Sequence, residues 1–243
     1  MENHEASSIL GSPDAPYLNR VLIPRGRLFT RYTAVAHPSL PNYLAMTAGS
    51  TLGKIGTDSV SAGELHAPNL FEQLSSAGIS WRAFEESMPA PCYRPYSAGM
   101  PPGEYALKHD PAMTFADVAD TSLCRRIVPL SALDPQRLPA FAFVTPNECS
   151  DMHSCGIADG DSWLASHVPP LLSGGATVVI TFDEGTTDEG GGGRVALVEA
   201  GAGIRQGATD ARPFDHYALL AGLEKRFGLP RLGRATSAPP LPL

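Results

Sequence analysis

The sequence predicts an α/β fold, a mostly parallel central sheet with helices on both faces, and three observations carry the prediction. Apolar, β-branched runs alternate with segments of helical spacing through most of the 243 residues, the pattern of successive βα units. Acidic and histidine motifs fall just after the expected strands, where open parallel sheets bind their ligands. A length of 243 residues with 43% apolar composition suits one large domain with a real core. We take residues 1–235 as that domain and 236–243, ending PPLPL, as a frayed tail.

Along the chain, YLNRVLI (17–23) reads as a helix end or a strand, and LFTRYTAVA (28–36) as a strand leading to His37-Pro38. LPNYLAMTA (40–48) follows as a helix with Ser39 at its N-cap and Pro41 in its first turn. PNLFEQLSSA (68–77) has helical spacing closed by Gly78, and ISWRAFEE (79–86) is the next strand. Residues 87–114, rich in Pro, Tyr and Met, form an irregular excursion suited to a pocket wall or lid. AFAFVTP (140–146) is a strand, and SWLASHVPPLL (162–172) a helix interrupted or ended near Pro169. ATVVITFDEG (176–185) is the clearest buried strand, RVALVEAG (194–201) another, and DHYALLAGLEKRFG (215–228) an amphipathic helix capped by Asp215 and closed by Gly228.

A net charge of -7 argues against general nucleic-acid binding, which needs a basic face. No apolar run approaches the roughly 18–20 residues that span a bilayer. No heptad or apolar stripe calls for an obligate dimer, so a monomer is expected. The opening MENHEASS lacks the basic start and apolar core of a secretory leader. The four cysteines suit two disulfides and an oxidising compartment. Cys149 and Cys155 are the natural local pair, and Cys92 and Cys124 would then close a longer loop; four reduced, buried thiols are the alternative.

Asp183 and Glu184 lie at the mouth of a buried strand, where two adjacent carboxylates must be solvated, hydrogen-bonded or metal-bound; the apolar run ahead of them favours a metal. Ser39, at a helix start, is either an ordinary cap or a hydroxyl placed among backbone N–H groups that hold a phosphate. The loop 145–155 carries Asn147, Asp151 and His153, which can face one phosphate or metal, or only solvent. His216 is a capping, surface or site histidine. Lys108 and His109 are phosphate or leaving-group contacts, or a solvated basic pair. The run TLGKIGT (51–57) is no Walker motif, and GGGG (190–193) reads as a flexible turn.

Taken together, HPSLPNYLAMTAGS (37–50), SWRAFEESMP (80–89), YALKHDP (105–111), FVTPNECSDMHSC (143–155), GDSWLASHVPPLL (160–172), VVITFDEG (178–185) and DHYALLAGLEKRFGLP (215–230), with MENH (1–4) and APYLN (15–19), resemble a known family. It is the phosphoesterase family of bacterial acid phosphatases and phosphatidylinositol phosphatases, more distantly the phosphocholine-type phospholipases C. The resemblance implies an alkaline-phosphatase-like fold and a secreted or periplasmic enzyme, a phosphoric ester hydrolase. Its implied substrate is a small phosphate ester or phospholipid head group, cleaved as a monoester through a phosphoserine. A phospholipase C acting on diesters and an inactive phosphate-binding domain are the alternatives.

The resemblance further implies that Glu2, Asn3, Asp183 and Glu184 surround a divalent metal, one or two ions in all, with Ser39 as the metal-activated nucleophile. Asp151, His153 and His216 take positions that elsewhere hold a second metal and here hold the phosphate, with His37 as a further phosphate contact and Lys108, His109 and Asn147 as substrate contacts. Family members carry a leader and a long apolar strand ahead of the ENH motif. The expectation for this chain is therefore a truncated start, with Glu2 and Asn3 on a mobile terminus and weakened metal binding.

Overall fold

The computed structural model describes residues 1–243. Its strands are β1 (Arg27–Phe29), β2 (Tyr32–Thr33), β3 (Trp81–Glu85), β4 (Ser97–Ala98), β5 (Tyr105–Ala106), β6 (Ile127–Pro129), β7 (Phe141–Thr145), β8 (Val178–Thr181), β9 (Leu197–Ala200), β10 (Ala208–Asp210) and β11 (Phe214–Asp215). The central layer consists of two half-sheets, one ordered β10-β1-β9-β8 and the other β6-β3-β7. β6 and β7 run parallel to β3, and β10 runs parallel to β1. Only β9 departs from the expected direction in this layer, running antiparallel to both β1 and β8.

The helices form where apolar spacing and caps coincide. His216–Phe227 starts at Asp215, whose carboxylate accepts the Ala218 N–H at 2.8 Å, and stops at Gly228 in the left-handed region (φ 68°). It packs on Ser39–Ala48, whose residues are all buried. Leu70–Ser76 is capped by Asn69, which accepts the Glu72 N–H, and its Phe71 packs at a tilt against Trp81 of β3, 5.0 Å between ring centroids.

Several elements differ from the sequence reading. Residues 28–36 are not one strand: a turn at Thr30-Arg31 separates β1 from β2. The helix expected over 162–172 runs Ile157–Ser173 and continues through Pro169 and Pro170. Its buried side chains Leu164, Val168 and Leu171 tie both sides of that interruption to the core, and tertiary burial outweighs the lost N–H groups. The C-terminal segment is not frayed: Leu241 is 1% exposed and donates its N–H to the Ala218 carbonyl at 2.9 Å.

The amino terminus is pinned rather than mobile. The Met1 amino group donates to the Thr181 carbonyl (3.2 Å), Asp183 N–H donates to the Met1 carbonyl (3.0 Å), and Glu2 N–H donates to the Asp151 carbonyl (2.8 Å). Glu2 is fully buried.

Both expected disulfides are present, Cys92–Cys124 and Cys149–Cys155, and no cysteine is free. The bridges span 32 and 6 residues, and chain-entropy arithmetic then gives about 3–4 kcal/mol for the longer loop and about 2 kcal/mol for the shorter. Urea unfolding of Cys→Ser pairs is expected to rank them in that order.

Candidate active site

The site forms where the two half-sheets meet. Ser39 is the first residue of its helix rather than the cap. The cap position belongs to Pro38, and the free Leu40 N–H is taken by Asp58 Oδ1 at 2.9 Å. The Ser39 hydroxyl is thereby spared a capping role. It is 1% exposed and lies 3.1 Å from Glu2 Oε2 and 3.3 Å from Glu184 Oε1. Asp183 sits beside them with Oδ1 accepting the Asn3 N–H at 3.1 Å and Oδ2 buried without a partner.

One turn along the helix, Tyr43 shares a face with Ser39 and donates its hydroxyl to Glu2 Oε1. Asn42 fixes the loop ahead of the serine: its amide oxygen accepts the Val35 and Ala36 N–H groups, and its amide nitrogen donates to the Ala36 and Pro38 carbonyls.

A second group adjoins the first. His109 is 1% exposed, with Nε2 3.2 Å from Glu2 Oε2 and Nδ1 3.4 Å from Asp151 Oδ2. Neither contact is aligned as a hydrogen bond on the side of His109 Nε2 or Asp151 Oδ2, and both atoms are buried without a partner. At the mouth, Lys108 Nζ lies 3.2 Å from His153 Nε2, 3.4 Å from Asp58 and 3.9 Å from Glu148.

Of the residues singled out in the sequence, the structure brings Glu2, Ser39, Asp183 and Glu184 together, with Asp151 next to them. Others are placed differently. What Asn3 brings to the cluster is its backbone N–H. Both ring nitrogens of His37 are engaged elsewhere: Nδ1 holds Glu184 Oε2 and Nε2 donates to the Thr187 carbonyl. His216 is fully buried with both ring nitrogens used, one against the Tyr32 hydroxyl at 2.8 Å and the other against the Asp183 carbonyl. It positions the Asp183 backbone and has no nitrogen left for substrate.

The Asn147 side chain is engaged within its own loop and with Ser87. It accepts the Cys149 and Ser150 N–H groups and donates to Ser87 Oγ, building the turn that carries Asp151. His109 goes the other way, from the site's rim to its centre. Tyr43 and Asp58 went unnoticed in the sequence. The four-residue spacing of Tyr43 from Ser39 was the available signal for the first, while nothing local marks Asp58.

The charges are in conflict without a cation. Burial first, then Asp183 and Asp151, raise the Glu2 carboxyl well above its usual range. Burial pushes Glu184 up to about 7, with Asp183 adding to it, and burial also pushes Asp151 up to about 7. Burial, then Lys108, holds His109 well below the ordinary histidine value, so it is neutral. Burial works to lower the Lys108 ammonium, but Asp58, Glu2 and Glu148 outweigh it and keep the group charged.

Folded carboxyls with raised pKa bind more protons than the unfolded chain between about 4.5 and about 7. The metal-free protein is therefore expected to lose stability as pH rises through that window. Urea midpoints at about pH 5 and about pH 7.5 check this, and a divalent cation should restore the loss at the higher pH.

Buried carboxylate oxygens and a neutral imidazole nitrogen, several of them unpartnered, are the donor set of a divalent cation. The outer trio His109, Glu148 and His153 also has metal-ligand spacing. The Lys108 ammonium beside it suits an anion better than a cation.

Known proteins resemble this chain over most of its length. A phosphatidylinositol-3-phosphatase of Mycobacterium tuberculosis is 39% identical over 250 residues, covering 99% of this chain and 79% of that protein. A phosphate-repressible acid phosphatase of Penicillium chrysogenum is 32% identical over 88% of the chain, and an acid phosphatase of Aspergillus fumigatus 29%. The chain spans 55% and 51% of the length of these two fungal proteins. Among solved structures, a phosphonate monoester hydrolase from Silicibacter pomeroyi superposes with a TM-score of 0.55 over 99% of this chain and 76% of its own, at 12% identity. That likeness bears out the alkaline-phosphatase-like α/β fold. With residues 12–230 matching the family as a whole, the chain belongs to the Phosphoesterase family.

Proposed function

We propose that this phosphoric ester hydrolase cleaves phosphate monoesters through a phosphoserine on Ser39, with a divalent cation held by Glu2, Asp183 and Glu184. The observation that carries the reading is the Ser39 hydroxyl, buried and within 3.3 Å of two carboxylates from opposite ends of the chain. Family membership and relatives named as phosphatases support monoester hydrolysis. The bound cation would supply positive charge that lowers the serine pKa and offsets the developing phosphoryl charge.

The protein's residues divide the remaining work. Ser39 attacks phosphorus in line, its proton passing to the carboxylate it touches. Lys108 and His153 at the mouth bind the phosphoryl oxygens. His153, whose Nδ1 lies 3.1 Å from Ser154 Oγ, is proposed to protonate the leaving alcohol. Tyr43 orients Glu2 and His37 orients Glu184. Water then hydrolyses the phosphoserine. The two disulfides fit secretion into an oxidising compartment, and no helix is long and apolar enough to cross a membrane.

Hydrolysis of p-nitrophenyl phosphate and of a phosphoinositide head group, before and after exhaustive chelation, tests the reading. Activity on both that chelation abolishes and divalent cation restores is the expected result. Turnover that survives chelation would remove the cation from the proposal, and cleavage of a diester alone would replace the phosphatase with a phospholipase C.

A further inference from the structure

Between Glu184 and Arg194 the chain leaves the sheet as a loop. Gly185, Gly192 and Gly193 are its buried legs, and residues 186–191 are exposed. The run Gly190–Gly193, a flexible turn by sequence, is packed backbone to backbone on the segment that leads to Ser39. A Cβ on Gly190 would collide with Thr33, one on Gly191 with the Val35 carbonyl, and one on Gly192 with the Ala36 carbonyl. The Gly193 carbonyl accepts the Ala34 N–H at 2.9 Å. Glycine permits so close an approach of two main chains.

The outer part of the loop reaches His37. The Thr187 carbonyl accepts the Nε2–H at 3.0 Å, and Nδ1 holds Glu184 Oε2. A ring tied at both nitrogens cannot turn without giving up one of its partners. Glu184 in turn sets Oε1 3.3 Å from the Ser39 hydroxyl. A carbonyl on an exposed turn fixes a ring only if the turn itself is held, and here the hold comes from Glu5. The Glu5 side chain makes no cap bond to the short helix Ala6–Ile9 that follows it. Its Oε1 accepts the N–H groups of both Thr186 and Thr187 at 2.9 Å. That oxygen also lies against Gly185 and Gly193, where a Cβ on either would collide with it.

We infer that Glu5 is a positioning residue for the reaction: through the 186–187 turn and His37 it holds the Glu184 carboxylate toward Ser39. The inference rests on the reading of Ser39 and Glu184 given under Proposed function. One short segment then serves both acids that touch the serine. Glu2 meets the hydroxyl directly, and Glu5 fixes the mount of Glu184. The Glu5 carboxylate acts as an acceptor for two backbone N–H groups, so an amide oxygen can take its place, while a methyl group cannot.

Two measurements test this. The first is amide exchange with water and ring-nitrogen NMR of His37, without cation or substrate, so it reads the Glu5 contact even if the Ser39 assignment fails. In Glu5→Ala the Thr186 and Thr187 amides are expected to exchange ~10-fold faster or more, and the His37 resonances to move toward those of free histidine. Glu5→Gln should leave both near the parent protein's. Unchanged exchange and resonances in Glu5→Ala overturn the proposal. The second is turnover of p-nitrophenyl phosphate by the cation-loaded enzyme. Glu5→Ala should lower kcat by ~10-fold or more while KM moves by no more than about twofold, and Glu5→Gln should restore kcat. In a His37→Ala background, Glu5→Ala should change kcat by less than about twofold. A loss that simply multiplies with that of His37→Ala, or an unchanged kcat, overturns the positioning role. If Glu5→Ala does not fold, Glu5→Asp, which keeps the charge but withdraws it by one methylene, must show the same split; parental kcat in that variant overturns the proposal too. Full activity in Ser39→Ala is the separate result that removes the nucleophile.

Discussion

Ser39→Ala is expected to lower turnover of p-nitrophenyl phosphate by ~10³-fold or more, while the urea midpoint moves little. The side chain carries no cap and makes bonds only to Glu2 and Glu184. Its loss removes the proposed nucleophile and leaves the helix N-terminus held by Asp58. The variant should also fail to acquire phosphate at residue 39 when quenched with acid during turnover. Full activity in Ser39→Ala would end the nucleophile assignment, and with it the place of the carboxylates as a metal shell around that oxygen.

Glu2→Gln should have opposite effects in two states. In the metal-free protein Glu2 is a buried carboxyl raised by its surroundings and crowded by Asp183 and Asp151. A neutral amide relieves that repulsion, so thermal stability near neutral pH is expected to rise or hold. With a divalent cation present, the same change removes a proposed charged ligand. Metal-dependent stabilisation should then shrink, and turnover should fall by ~10²–10³-fold. Calorimetric titration of the cation against both forms checks the pair. An unchanged cation affinity would show that Glu2 is not a ligand.

How much of this was legible in the sequence depends on whether the deciding partner is near in the chain. Asp183 and Glu184 were readable as a buried acid pair because a β-branched run ends on them. The disulfides were readable from spacing. The helix over 215–228 was readable because Asp215 and Gly228 mark both ends. Lys108 and His109 show the limit. Adjacent residues on one short turn point apart, Lys108 to the mouth and His109 to the centre, and no local pattern says which is which. His216 misled because its place after a strand end is right for a site residue, yet Tyr32 and the Asp183 carbonyl, far away in sequence, claim both nitrogens. Asp58 reached Leu40 across 18 residues of irregular loop, and no periodicity foretells such a cap.

The short covalent loop from Cys149 to Cys155 carries Asp151 and His153, and the Asp151 carbonyl receives the Glu2 N–H. Two sulfur atoms therefore act at a distance on the reaction centre. In a thiol-rich cytosol the loop would be untied, and the seat of Glu2 would slacken with it.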